Sequence, residues 1–148
     1  MAEPREFISL RIAVLTVSDT RSLADDKSGQ VLQDRIAAAG HAIADRQIVK
    51  DDVAAIRRVV KAWGTRSDID VIISTGGTGL TGRDVTVEAM RPLFEKEIEG
   101  FSTLFHMVSF QKIGTSTVQS RATAGVMKGK YVFCLPGSPG ACRDAWDE

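Results

Sequence analysis

The residues of this chain best suited to chemistry lie around a glycine-rich stretch in the middle of the sequence. An apolar run ends at Thr75, and the loop that follows consists of Gly76, Gly77, Thr78 and Gly79. Glycine tolerates positive φ and leaves backbone N–H groups unscreened by side chains, so such a loop can surround an anionic oxygen. We therefore predict that these backbone N–H groups bind a phosphate or a similar anion.

Neither of the common phosphate motifs describes this loop. A Walker loop requires a lysine and then Ser or Thr after its last glycine, whereas Leu80 follows Gly79. Gly77, Gly79 and Gly82 satisfy the dinucleotide pattern G-x-G-x-x-G. However, the acidic residue that would bind the ribose, expected about 20 residues later, is not evident. A glycine-rich turn without a ligand is the alternative. The charged pair Arg83–Asp84 disfavours it, because a plain turn has no use for both charges.

Acidic residues follow two of the predicted strands. Asp51 closes the strand His41–Val49 and opens a helix, where an acid usually serves only as a cap. If that strand is parallel to the one ending at Thr75, Asp51 and Asp84 share one rim of the sheet, and two carboxylates converging there would form a divalent-cation site. Asp19, at the end of the first strand, belongs either to an ordinary loop or to a second wall of this site.

A second glycine loop follows the last predicted strand, Lys130–Leu135. The segment Pro136–Ala141 is a tight turn in which Gly137 and the hydroxyl of Ser138 again follow the carboxyl end of a strand. Open α/β sheets bind their ligands at this end. We therefore expect Gly137 and Ser138 to hold another part of the same ligand.

The remaining pattern supplies the elements that must position these residues. Buried strands are predicted at 10–17, 71–75 and 130–135, with a strand nearer the edge at 41–49. A polar, mobile segment is expected before Ser28, which is predicted to cap the first helix, and Thr86 is predicted to cap the third. Pro92 predicts a helix break followed by a second short helix to Ile98. Further helices are expected at 53–63, 101–110 and from 141 onward, with a polar hinge at 114–120 and a helix end or short strand at 121–130. The pattern is that of an α/β fold with a parallel sheet.

Composition narrows the class of protein. At 148 residues, a single domain is expected, and 19 basic against 19 acidic residues argue against a dedicated nucleic-acid binder. No window resembles a membrane span, and the N-terminus lacks a secretory pattern, so we expect a cytoplasmic protein with a small-molecule ligand. Cys134 and Cys142 show no metal-ligand spacing and are predicted to be reduced structural thiols.

Three segments together form a specific combination: TVSDTR with the later DKSG, then STGGTGLTGRDVTVEAM, then LPGSPGACRDAW. They resemble the MoaB/MogA family of molybdenum cofactor biosynthesis proteins, which includes the G domain of gephyrin. EIEGFSTLFHMVSFQKIGTSTVQSRATAG is similar to the MoaB branch. The resemblance implies a three-layer α/β/α sandwich with a central, mostly parallel sheet. Members continue beyond the position of Glu148, so we expect the single domain, residues 1–148, to lack a C-terminal tail.

The resemblance also implies an activity: transfer of an adenylyl group from ATP to molybdopterin, with Mg²⁺ and aspartates at the positions of Asp51 and Asp84. It further implies homotrimers or homohexamers, with other proteins of the pathway as candidate partners. Phosphate oxygens are already nucleophilic, so positioning and charge neutralisation suffice. Arg83 would contact substrate or pair with Asp84. The competing hypotheses are a non-catalytic molybdopterin carrier or oligomeric scaffold and, more weakly, a nucleotide-binding regulator. Molybdenum and tungsten are not distinguished.

Overall fold

The computed structural model describes residues 6–148 and contains a six-stranded mixed sheet with the strand order β2-β1-β3-β6-β5-β4. The neighbours among β2, β1, β3 and β6 run parallel, whereas β5 is antiparallel to β6, and β4 to β5. The sheet is therefore mostly parallel, as predicted. The strands are β1 Arg11–Val17, β2 Ala42–Val49, β3 Val71–Thr75, β4 Lys96–Glu97, β5 Thr123–Met127 and β6 Lys130–Leu135.

Five helices cover the two faces of the sheet: α1 Lys27–Ala38, α2 Val53–Gly64, α3 Thr86–Met90, α4 Glu99–Ile113 and α5 Pro139–Asp147. The side chains of β1 alternate between the two cores. Leu15 packs with α2 and α3 on one face, whereas Val14 packs with α1 and α5 on the other, joined by Phe101 of α4. Both β1 side chains have no exposed surface. The three-layer α/β/α sandwich is confirmed.

The register of the parallel strands places their carboxyl ends side by side. Thr75 at the end of β3 lies opposite Thr16 of β1 and opposite Leu135 of β6, and Val17 lies opposite Val49 of β2. The loops that follow these four strands therefore start at one edge of the sheet. This shared edge is the reason that residues far apart in sequence meet.

The first and third helices begin differently from the predictions. Asp26, not Ser28, caps α1, since its carboxylate accepts the Gly29 N–H at 3.0 Å. Of the polar segment before α1, residues 22–25 are exposed, whereas Asp26 is buried. The predicted cap at Thr86 is wrong. Thr86 is the first residue of α3, and its hydroxyl donates to the carbonyl oxygen of Gly76 at 2.8 Å.

The region after Pro92 also differs. A 3-10 turn at Arg91–Leu93 ends α3 as the proline predicts, but the second short helix is wrong: the chain extends into β4, where Lys96 pairs with Val126. The predicted hinge is a 3-10 helix, Gly114–Gln119, and the ambiguous segment after it is strand β5. Cross-strand pairing decides the two strands, β4 and β5, and a local pattern does not reveal it.

The two cysteines fit the structural prediction. Cys134 and Cys142 are both free and buried. Burial raises the pKa of Cys134 to about 12 and that of Cys142 to about 11, so both are neutral thiols at physiological pH. Among residues 6–148, no helix has the length and apolar character needed to cross a bilayer.

Candidate functional site

A cavity of about 620 Å³ opens at the carboxyl edge of the parallel strands. All ten residues predicted for the site line it: Asp19, Asp51, Gly76, Gly77, Thr78, Gly79, Arg83, Asp84, Gly137 and Ser138. They come from the loops after β1, β2, β3 and β6. The structure therefore brings the two glycine loops and the predicted acidic residues into one pocket.

The loop after β3 needs glycine at its start. Gly76 and Gly77 have φ values of +100° and +70°, which side-chain-bearing residues rarely adopt. A Cβ at Gly77 would also overlap the hydroxyl of Thr86 and lie 3.1 Å from a carboxylate oxygen of Asp51. Gly137 approaches equally closely from the other loop, since a Cβ there would lie 3.1 Å from the Gly76 Cα. The two loops pack together only without these side chains.

The backbone groups of the glycine loop have defined partners. The Gly76 N–H donates to the carbonyl oxygen of Leu135 at 3.0 Å, so it is not free to bind a phosphate as predicted. The Gly77 carbonyl oxygen accepts the Thr86 N–H at 3.0 Å. The N–H groups of Gly77 and Thr78 have no hydrogen-bond partner within residues 6–148. They are the donors that this loop can offer to an anion.

Asp84 is held by the loop itself rather than by Arg83. Its carboxylate accepts the Thr81 N–H at 2.9 Å and the Thr81 hydroxyl at 2.7 Å. These bonds lower the pKa of Asp84, with a smaller contribution from the charge of Arg121, so Asp84 is ionised at neutral pH. Within the described chain, Arg83 forms no ion pair with Asp84. Arg83 is exposed at the cavity wall, which leaves its guanidinium available to a ligand.

Asp51 and Asp52 are neighbours with different tasks. Asp52 caps α2 by accepting the Ala55 N–H at 2.8 Å, whereas Asp51 lines the cavity. The pKa of Asp51 is raised, chiefly by burial and then by the charges of Asp19 and Asp84, while Arg83 opposes the shift. The sequence left open whether the acid at the start of α2 is a helix cap or part of the site. In the structure Asp52 is the cap and Asp51 lines the cavity.

The donor set suits a hard divalent cation. Mg²⁺ is usually held by one or two carboxylates together with substrate phosphates and water, not by a complete protein cage. No group of three or more His, Cys, Asp and Glu side chains within the described residues is arranged to hold a metal by itself. However, the charges of Asp19 and Asp84 add to burial in raising the pKa of Asp51, and a cation would relieve that repulsion. Asp51 and Asp84 therefore fit Mg²⁺ bound together with a phosphate ligand.

Asp26, a buried residue that the sequence analysis missed, is linked to the cavity loops by hydrogen bonds. Asp26 accepts hydrogen bonds from the Thr16 hydroxyl at 2.6 Å and from Arg46 Nη2 at 3.2 Å. Ser28, which also donates to Asp26, accepts a bond from Arg21, whose guanidinium reaches the Gly137 carbonyl oxygen at 3.2 Å. Aspartate is as good an N-cap as serine, so the first residue of DKSG was the available signal. No feature of the sequence indicates that Arg21 contacts the carbonyl oxygen of Gly137.

Comparison with known proteins defines the class. Residues 13–148 match the family described as "Probable molybdopterin binding domain". The chain is 52% identical over 142 residues to Molybdenum cofactor biosynthesis protein B of Escherichia coli (strain K12), covering 96% of this chain and 84% of that protein. It is 46% identical over 140 residues to the protein of the same name from Bacillus anthracis, covering 94% and 83%. The chain belongs to the MoaB/MogA family, and its role lies in molybdenum cofactor biosynthesis.

Solved structures agree with this assignment. A crystal structure of Molybdenum cofactor biosynthesis protein B superposes with a TM-score of 0.94 at 44% identity, covering 97% of this chain and 90% of that one. A tungsten cofactor synthesizing protein MoaB from Pyrococcus furiosus gives a TM-score of 0.80 at 35% identity, covering 94% and 89%. The family resemblance and the fold predicted from it are both confirmed.

Proposed function

We propose that this chain transfers the adenylyl group of ATP to molybdopterin in a Mg²⁺-dependent reaction. The observation that carries the proposal is the convergence of Asp51 and Asp84 with the unpaired N–H groups of the glycine loop in one cavity. Carboxylates repel phosphates, so the two sets of groups serve one ligand only when a divalent cation accompanies it. A magnesium-bound polyphosphate meets that condition.

The reaction requires positioning more than activation. The terminal phosphate oxygen of molybdopterin attacks the α-phosphorus of ATP, a new P–O bond forms, the bond between the α- and β-phosphates breaks, and pyrophosphate leaves with the electron pair. No proton has to be removed from the nucleophile. Asp51 and Asp84 would hold Mg²⁺, which neutralises phosphate charge when bound.

The remaining cavity residues would bind substrate. The N–H groups of Gly77 and Thr78 would bind phosphate oxygens, and the exposed side chain of Arg83 would supply a positive charge at the cavity wall. The Ser138 hydroxyl accepts the Ala141 N–H at 3.0 Å as the cap of α5, which leaves its own proton free to donate. Ser138 and Gly137 would bind the second substrate.

The test is incubation with molybdopterin, ATP and Mg²⁺ while pyrophosphate and adenylylated pterin are measured. Asp84→Asn should lower the rate by about 100-fold or more, as loss of one charge contact in a transition state typically does. Asp52→Asn is the matched control, because Asn also caps helices well and residue 52 does not line the cavity. Equal rates for wild type and Asp84→Asn would refute the transferase. Pterin binding by the wild type without product would favour the carrier.

We further propose that the chain associates with copies of itself through α4. Leu104, Met107, Phe110 and Ile113 recur every three residues on this helix and are 63, 59, 56 and 53% exposed. Such a row of exposed apolar side chains is unusual on a monomer and is typical of an interface. A second copy of the chain is the occupant that the family resemblance leads us to expect.

A further inference from the structure

Arg121 contacts the glycine loop through the backbone carbonyl groups of the loop. Its Nε donates to the carbonyl oxygens of Thr78 and Gly79, both at 3.0 Å, and Nη2 donates to the Asp84 carbonyl oxygen at 3.3 Å. Nη1 forms an ion pair with Glu88 at 2.9 Å. Among the described residues, Arg121 is not part of the cavity wall, so it does not meet a ligand there directly.

Four consecutive carbonyl oxygens of the loop, from Gly76 to Gly79, accept hydrogen bonds from Thr86 or Arg121. The carbonyl oxygens of Gly76 and Gly77 accept from Thr86, and those of Thr78 and Gly79 accept from Arg121. All four carbonyl groups are thus turned toward the protein. The described part of the chain contains no cis peptide bond. In a planar trans peptide, the N–H of each following residue points opposite to the carbonyl before it.

The N–H groups of Gly77 and Thr78 therefore point away from Thr86, and the N–H of Gly79 points away from Arg121. All three residues line the cavity. The Gly79 N–H also helps to lower the pKa of Asp84, which places it beside that carboxylate. Nothing intrinsic to the sequence Gly-Gly-Thr-Gly prevents these peptides from rotating, since glycine adopts positive and negative φ with similar ease. A rotated peptide would turn a carbonyl oxygen toward the anion and repel it.

We propose that Arg121 is a positioning residue for the second half of this loop: by holding the carbonyl oxygens of Thr78 and Gly79, it keeps the Gly79 N–H beside the Asp84 carboxylate at the cavity. The inference rests on the proposed function only for the identity of the anion, a magnesium-bound polyphosphate. The planar guanidinium suits the task because it donates in several fixed directions, whereas a lysine ammonium is a compact point charge with three donors. The segment that carries Arg121 is itself fixed: the ring nitrogens of His106 lie 2.8 Å from the carbonyl oxygens of Ser102 and Ser120.

The experiment compares Arg121→Lys with two controls in the full chain. Glu88→Gln removes the ion pair but leaves the bonds from Arg121 to the carbonyl groups. Arg66→Lys makes the same substitution at a guanidinium that bridges Asp45 and Asp68, near the amino end of β3 and outside the cavity. Binding of inorganic pyrophosphate with Mg²⁺ is measured by calorimetry, backbone amide shifts by NMR, and Tm by circular dichroism.

We expect Arg121→Lys to weaken pyrophosphate binding by about tenfold while both controls stay within about twofold. The amide signals of Gly79 and Leu80 should move in the free Arg121→Lys protein, because their peptides carry the carbonyl groups that Arg121 holds. In the wild type, the signals of Gly77 and Thr78 should be among those most shifted by pyrophosphate. Unchanged affinity in Arg121→Lys, or an equal loss in Glu88→Gln, would overturn the proposal.

The wild-type titration keeps the proposal falsifiable even if Arg121→Lys does not fold. Wild-type protein that binds no pyrophosphate, or that binds it without shifting the amide signals of Gly77 and Thr78, would also overturn it. Failure of the proposed function gives a different result: wild-type protein would bind pyrophosphate and lose that binding in Arg121→Lys, yet form no adenylylated pterin.

Discussion

The backbone N–H of Asp51 donates to the carboxylate of Asp19 at 3.0 Å and joins the loops that follow β1 and β2. The bond also brings two acidic side chains together at the cavity, where the charge of Asp19 helps to raise the pKa of Asp51. The fold therefore tolerates an unfavourable cluster of negative charge at this edge. Such local cost is common where a protein binds a ligand of opposite charge.

The raised pKa of Asp51, caused first by burial and then by these charges, gives a pH-dependent stability prediction. A carboxyl group whose pKa is raised by folding binds its proton more tightly in the folded state, so ionised Asp51 destabilises the fold at neutral pH. Asp51→Asn should therefore raise Tm at pH 7, and the difference should shrink as the pH falls through the raised pKa of Asp51 toward the ordinary aspartate value. Thermal unfolding by circular dichroism between pH 7 and pH 3 measures it.

Asp52→Asn is the control for this experiment, since residue 52 caps α2 and lies outside the cavity wall. Its Tm should change little at either pH. Mg²⁺ with pyrophosphate should stabilise the wild type more than Asp51→Asn, because ligands that bind only the folded state raise Tm. A lower Tm for Asp51→Asn at pH 7 would show that the residue supports the fold instead.

Replacement of Gly77 tests the geometry of the loop. Gly77→Ala should lose about 1–2 kcal/mol from the left-handed backbone alone, and more from the overlap with Thr86. Gly82→Ala is the matched control, because its φ is not positive and a Cβ there would meet nothing within 4 Å. Urea unfolding gives both values. If the two variants are equally stable, the conformation of Gly77 is not required.

The buried Asp26 network should be important for stability. Asp26→Asn leaves Arg46 without its carboxylate partner and weakens four hydrogen bonds, so we expect a loss of about 3 kcal/mol in the free energy of unfolding. Asp25→Asn, at the exposed neighbouring position, should cost less than about 1 kcal/mol. Similar losses in urea unfolding would mean that the network contributes little.

The pH dependence of this contribution has the opposite sign to that of Asp51. Burial alone would raise the pKa of Asp26, but its bonds with Thr16, Gly29 and Arg46 outweigh burial and lower it. The stability that ionised Asp26 provides is therefore present above the ordinary aspartate pKa and is lost as the pH falls through the lowered value. The stability difference between wild type and Asp26→Asn should narrow below about pH 4.

Self-association through α4 is tested by light scattering. The wild type should give a mass that is a multiple of 16.0 kDa, as a trimer or a hexamer would. Met107→Glu places a charge in the exposed apolar row and should shift the mass toward the monomer. Lys61→Glu, at an exposed position of α2 on the other face of the sheet, should not. A wild-type mass of one chain would contradict the proposal.

The sequence by itself determined which elements form the core of the fold and which edge of the sheet carries the site. The largely apolar runs at β1, β3 and β6 bury side chains on both faces, as strands between two helical layers must, and a polar or glycine-containing loop follows each one. Since parallel strands end at the same edge, Asp51, Asp84 and the two glycine loops could be placed together before any coordinates.

Only the tertiary structure decided how those residues divide their tasks. The donor at Gly76 is used by Leu135, Thr86 holds loop carbonyl groups instead of capping its helix, and Arg121 reaches the loop from 42 residues away. A side chain's hydrogen-bond partner depends on which distant segments pack against it, and local propensity carries no information about that. The same reason explains β4, whose strand conformation depends on pairing with β5.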